Sequence, residues 1–94
     1  MAARVTEDLL DKIRARPKAQ RQEIGDAINR VLEGWGRPHV HSGIGIRRLT
    51  KTIFECRVGL DDRLAFLFIA TPPELVFFFI GNHDEIQKLI RSKG

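Results

Sequence analysis

Between Pro73 and Gly81 the sequence reads E-L-V-F-F-F-I, with six consecutive apolar residues at 75–80. The run is too short for a buried helix and has no polar face, so it predicts a strand covered on both sides, at an inner position of a sheet. The next residues open a helix. Asn82 is a capping residue, Glu85 three positions on is placed to reach back as in a capping box, and Ile86, Leu89 and Ile90 form one stripe. His83 therefore falls in the first helical turn, directly after the most apolar part of the chain.

Upstream, Thr6 can cap a first helix whose stripe is Val5, Leu9, Leu10 and Ile13, with Glu7 and Asp8 suited to its positive end. Pro17 ends it. A second helix comes next, with Ile24, Ala27, Ile28, Val31 and Leu32 at i, i+3, i+4, i+7 and i+8 until Gly34 stops it. Its outer face, with Lys18, Arg21, Glu23, Asp26 and Arg30, reads as solvated. The segment 34–45 holds four glycines, Pro38, His39 and His41, and reads as a loop. Three more strands are expected at 46–49, 53–58 and 63–69, joined to each other and to the last strand by short turns that make neighbours antiparallel. Phe54, Cys56 and Val58 alternate with Glu55 and Arg57, so that strand has one core face and one other face. In the last two strands both faces are apolar, with Leu75, Phe77 and Phe79 set against Val76, Phe78 and Ile80. The helical hairpin covers one side, and the C-terminal helix or a partner must cover part of the other. The expected fold is α+β: an N-terminal helical hairpin on a four-stranded antiparallel sheet, with a short C-terminal helix, all in one domain spanning 1–94.

With 94 residues, 43% hydrophobic and 30% charged, the chain is in the globular range. Its formal charge of +4 favours an anionic partner such as RNA, DNA or an acidic protein. Cys56 is alone, which excludes an internal disulfide and fits a reducing compartment. No apolar run approaches the ~20 residues that span a bilayer, and the N-terminus has no apolar signal core, so a cytoplasmic location is expected.

The basic residues Arg47, Arg48, Lys51, Arg57 and Arg63 lie on adjacent strands of the meander. Arg47 and Arg48 point to opposite faces, so at most one joins Arg57. Converging guanidinium groups would grip a phosphate in a forked contact; otherwise the charges keep a sheet edge soluble. At the first turn of a helix the dipole disfavours an imidazolium, so His83 is suited to acid–base work, or else it packs at a helix start. His39-x-His41 has chelating spacing, but no second pair or cysteine cluster completes a metal site, and none is expected. Cys56, on the apolar side of its strand, reads as core filler. The glycines at 43 and 45 lack the third glycine of a dinucleotide fingerprint and lead into a strand.

The order helix hairpin, loop, G-I-R-R-L, F-E-C-R-V-G, R-L-A-F-L-F and L-V-F-F-F-I-G-N-H resembles the RelE/ParE superfamily of toxin–antitoxin toxins, over residues 24 to about 85. Gly81-Asn82-His83 looks like the Gly-x-His of its YafQ-like branch of ribosome-dependent mRNA endonucleases, in which the histidine is catalytic. The resemblance implies that Arg57 holds a basic or histidine position of the hairpin, Asp61 an acidic one and Phe66 an aromatic one. It makes Arg63 a phosphate-binding arginine and His41 a second active-site histidine. The chain departs from the pattern in having no tyrosine and no arginine after Ile80. Residues 1–5 do not look like the N-terminal strand with which most members begin.

The resemblance implies a cognate antitoxin protein as partner, and mRNA presented on the ribosome as substrate. Cleavage of RNA through its own 2′-hydroxyl needs a base, an acid and cationic donors for the charged phosphorane, and requires neither metal nor cofactor. His83, with Asp61 or His41, would move protons; Arg57 and Arg63 would hold the phosphate; Arg47, Arg48 and Lys51 would bind RNA. The competing reading is a non-catalytic module, since ParE-like members block a topoisomerase and cleave nothing, or an inactive relative.

Overall fold

A computed structural model describes residues 1–37, 43 and 45–93. The chain opens with a strand, β1 (Ala2–Val5), followed by α1 (Glu7–Arg14) and α2 (Lys18–Gly34). Thr6 caps α1, its Oγ1 accepting from the Leu9 N–H at 3.4 Å, and Glu7 and Asp8 lie in the first turn. Pro17 stands at the N-cap of α2, just outside the helix. Then come β2 (Arg47–Arg48), β3 (Ile53–Val58), β4 (Asp62–Ala70), β5 (Pro73–Gly81) and α3 (His83–Lys93).

Among the described residues the sheet has five strands in the order β1-β5-β4-β3-β2, where four were expected. It is mixed, because β1 runs parallel to β5 while the other pairs are antiparallel. The sequence A-A-R-V has neither apolar alternation nor length, so nothing local marks it as a strand. What holds it is distant in sequence: the outer edge of β5 pairs with it from Ala2–Glu74 to Val5–Phe77, and Arg4 meets Glu74 at 3.1 Å. At the opposite edge only Arg47 and Arg48 form a strand, with Leu49 already in the turn to β3.

Two cores sandwich the sheet. Against α1 and α2 lie Leu9, Ile24, Val31, Cys56, Val58, Leu64, Phe66, Leu75 and Phe77, all buried, with Ile13, Ile28 and Phe54 partly so. Within this core Phe66 stacks on Phe54 at 5.7 Å and meets Phe77 at 5.0 Å and Trp35 at 5.6 Å between ring centroids. The other core is closed by α3. Ile86 is fully buried with Ile53 and Ala65, and Leu67, Phe78, Phe79 and Leu89 pack around them.

A register shift between β4 and β5 decides which aromatic goes where. Ala65 pairs with Phe79 but Phe66 pairs with Phe77, leaving Phe78 as an extra residue on β5. The strict alternation expected through 75–80 is thus broken: Phe78 and Phe79 both serve the α3 side, and Ile80 returns to the hairpin side.

The start of α3 is a reciprocal capping box, with Glu85 N–H donating to Asn82 Oδ1 at 2.9 Å and Asn82 N–H donating to Glu85 Oε1 at 3.0 Å. The turn is tight enough that a Cβ on Gly81 would come within 2.9 Å of Glu85 Cβ and 3.0 Å of a Phe79 ring carbon. Glycine is what allows α3 to fold back across the sheet. No helix among the described residues is long and apolar enough to cross a membrane.

Candidate functional site

On the α3 side of the sheet, at the end where β3 finishes and β4 begins, the pairing sets Arg57 directly opposite Arg63, and Arg63 opposite Gly81. One step along, Arg47 is opposite Glu55, and Glu55 opposite Ala65. Partners in such a ladder share a face, so Arg47, Glu55, Arg57 and Arg63 converge. With Gly45 and Ile46 they line a cavity of ≈ 290 Å³.

Gly45 makes room for the arginine at the rim. Its φ is +75°, a conformation that side chains rarely adopt, and a Cβ there would lie 2.7 Å from Arg57 Nε. The Arg57 side chain thus runs close across bare backbone. Among the described residues it has no hydrogen-bond or ion-pair partner, whereas Arg63 Nη1 donates to the Asp62 carbonyl at 3.3 Å. On its other side Arg57 also borders a smaller recess of ≈ 270 Å³ with Arg30, Gly43 and Gly59. Asp62 does not neutralise this group, because it is paired with Arg16 at 2.7 Å.

Glu55 was expected on the open face of β3, and its burial is a correction: it is only 2% exposed. Arg47 stands beside it on the neighbouring strand, and Arg57 and Arg63 line the same cavity. Arg47 Nε lies 3.7 Å from Glu55 Oε1, close enough for an ion pair but too long for a hydrogen bond. Among the described residues Glu55 Oε2 is buried with no partner. Sequence reading missed Glu55 and Gly45 as members of the site. The signal available was that Glu55 alternates onto the face of Arg57, and that a glycine closely precedes the short strand of Arg47.

The other anticipated residues fall elsewhere. Arg48 points to the opposite face, where its guanidinium donates to the carbonyls of Thr50 and Lys51 at 3.0 and 2.9 Å and stands 5.9 Å from the Phe54 ring centre. It ties down the β2–β3 turn. Lys51 is exposed in that turn, beyond the far end of β3 from Arg57. Asp61 is exposed in the β3–β4 turn, and His83 is exposed at the first position of α3; neither lines the cavity. His83 nevertheless stands two residues beyond Gly81, at the same end of the sheet as Arg57 and Arg63. His39 and His41 lie outside the described residues. Among the described residues, no group of three or more His, Cys, Asp or Glu side chains could hold a metal ion.

Cys56 is buried on the hairpin side and is no part of the site. Burial pushes its thiol up to about 12, only partly offset by Arg30 and a backbone hydrogen bond at Leu64. Native protein should therefore resist thiol reagents at neutral pH and react fully once unfolded, as a colorimetric thiol assay would show. The unfolded thiol ionises from about 9 upward and the folded one only near 12. Stability from this group is thus intact below pH 9 and declines as pH rises through that window.

No family model matches this sequence, and no curated protein does. Among solved structures, the chain is similar to one in the crystal structure of the archaeal RelE–RelB complex from Pyrococcus horikoshii OT3, with a TM-score of 0.64. The two are 13% identical, and the match covers 86% of this chain and 92% of that one. At that identity the likeness is one of fold. The chain has a RelE-like fold, and the arginine-lined cavity lies on its sheet.

Proposed function

We propose that this protein is the toxin of a type II toxin–antitoxin pair, and that it cleaves mRNA on the ribosome through the RNA's own 2′-hydroxyl. The observation that carries this reading is the cross-strand pair Arg57–Arg63 beside Arg47 around one cavity. Like charges directly opposite one another on a sheet are destabilising, so folding alone does not favour the arrangement. A phosphodiester bound between the guanidinium groups removes the repulsion and is held in forked hydrogen bonds. The RelE-like fold supports the assignment.

In this reading Arg57 and Arg63 stabilise the phosphorane, Arg47 binds the neighbouring backbone, and His83 acts as acid or base, with Asp61 or His41 as a second titrating group. Arg48 and Lys51 would meet RNA farther along the surface. An antitoxin is the proposed partner, by likeness to the RelE–RelB complex. It would find an apolar groove of ≈ 440 Å³ lined by Thr6, Thr50, Thr52, Ile53, Leu67, Val76 and Phe78. A non-catalytic, ParE-like module is the second reading, and the place of His83 outside the cavity lining favours it.

The test is cleavage of a defined mRNA by the purified chain in the presence of translating ribosomes. Arg57→Ala should slow cleavage by about 10²–10³-fold, the usual effect of removing one donor to a developing charge. Arg57→Lys should recover only part of the rate, since lysine keeps the charge and loses the fork. Thermal unfolding should show no loss of stability, because Arg57 is exposed and its loss removes the like-charge contact with Arg63. A parent protein that leaves the mRNA intact would favour the non-catalytic reading.

A further inference from the structure

The buried carboxylate of Glu55 is the one group in the cavity that an anion site does not call for. A carboxylate beside three arginines weakens the grip on a phosphate. Among the described residues its Oε2 is buried without a partner, an arrangement that is costly for an ordinary polar group and more so for a charged one. Oε1 faces Arg47, so a single acceptor is left for the ligand. The ligand must then carry one hydrogen-bond donor very near the anion that Arg57 and Arg63 hold. Glu55 and Arg57 are two residues apart on one face of β3, about 7 Å between Cα atoms, which keeps donor and anion close. In RNA the donor nearest a phosphodiester is the ribose 2′-hydroxyl, on the carbon next to the one that bears the phosphate. A base edge lies farther off, and guanine's paired donors would ask for both carboxylate oxygens.

We infer that Glu55 is a catalytic residue of this site, accepting the proton of the 2′-hydroxyl of the nucleotide whose 3′-phosphate lies on Arg57 and Arg63. The inference rests on the cleavage reading above and assigns the base within it. The 2′-oxygen forms a bond to phosphorus as its proton passes to Glu55 Oε2. The bond from phosphorus to the 5′-oxygen of the next nucleotide breaks, and that oxygen takes a proton from an acid, the role left to His83. The products are a 2′,3′-cyclic phosphate and a 5′-hydroxyl. Arg57, exposed and without a hydrogen-bond or ion-pair partner among the described residues, closes on the phosphate while Arg47 stays on Oε1.

Single-turnover cleavage of mRNA on preformed ribosome complexes, followed across pH, tests this. The parent rate should rise with unit slope at acid pH and then level off, as base catalysis requires. Glu55→Gln, equal in shape and still an acceptor, should be about 10²–10⁴-fold slower and lack that limb, with affinity for the RNA no weaker than the parent's. A second measurement needs no variant. A short RNA carrying 2′-fluoro at the mapped cut, which keeps the sugar pucker but has no donor, should bind the parent about tenfold or more weaker than the 2′-hydroxyl form. If the parent cleaves and Glu55→Gln matches its rate and profile, or the two RNAs bind equally, the assignment of Glu55 is overturned and the cleavage reading stands. If the parent does not cleave, both fall.

Discussion

Truncation of His83 to alanine is expected to slow ribosome-dependent mRNA cleavage by about 10²–10⁴-fold, or ~3–5 kcal/mol of barrier, the usual cost of losing a positioned acid or base. Folding should be untouched. His83 is exposed at the first helical position, and the helix start is secured on either side of it by the Asn82–Glu85 capping box. The measurement is the single-turnover rate of each purified variant, with thermal unfolding as control. His83→Ala cleaving at the parent rate would remove the histidine from the mechanism and leave the arginine pair, whose place in the cavity does not depend on it.

The second large effect is on stability. Phe66 is fully buried at the centre of the hairpin-side core, in ring contact with Trp35, Phe54 and Phe77. Phe66→Ala would remove a ring from a close-packed site, at ~3–5 kcal/mol. A domain of this size has only about 5–15 kcal/mol in total, and each kcal/mol is worth about 4–8 °C in Tm. Calorimetry should therefore show Tm lowered by roughly 15 °C or more, or no cooperative transition. A shift of only a few degrees would mean that the aromatic cluster is not the centre of the core.

The features legible in the sequence were those fixed by near neighbours. Thr6, Pro17 and Asn82 with Glu85 mark helix ends through their own backbone chemistry, and Ile24, Ala27 and Val31 mark a helix face by spacing. Phe54, Cys56 and Val58 mark a strand in the same way, and all three land on the hairpin side. What was not legible depends on segments far apart. Residues 2–5 become a strand only because β5 offers a free edge some seventy positions later. The bulge at Phe78 hides within an unbroken apolar run, where a slipped register leaves no polar residue out of place. Arg57 and Arg63 were expected to share a phosphate, but the burial of Glu55 beside Arg47 was not, since alternation alone puts it on the polar face. A carboxylate becomes informative only when the structure shows one of its oxygens left without a partner.

Whether a phosphodiester is attacked by its own 2′-oxygen in the Arg57–Arg63 cavity is reported directly by the chemistry of the cut ends. After incubation of the full chain with translating ribosomes and a defined mRNA, the ends should be mapped and their termini identified by enzymatic end-labelling. Attack by the 2′-oxygen predicts cuts that depend on the ribosome, with 2′,3′-cyclic or derived phosphates upstream and 5′-hydroxyls downstream. Intact mRNA, or ends carrying a 3′-hydroxyl and a 5′-phosphate, would contradict it.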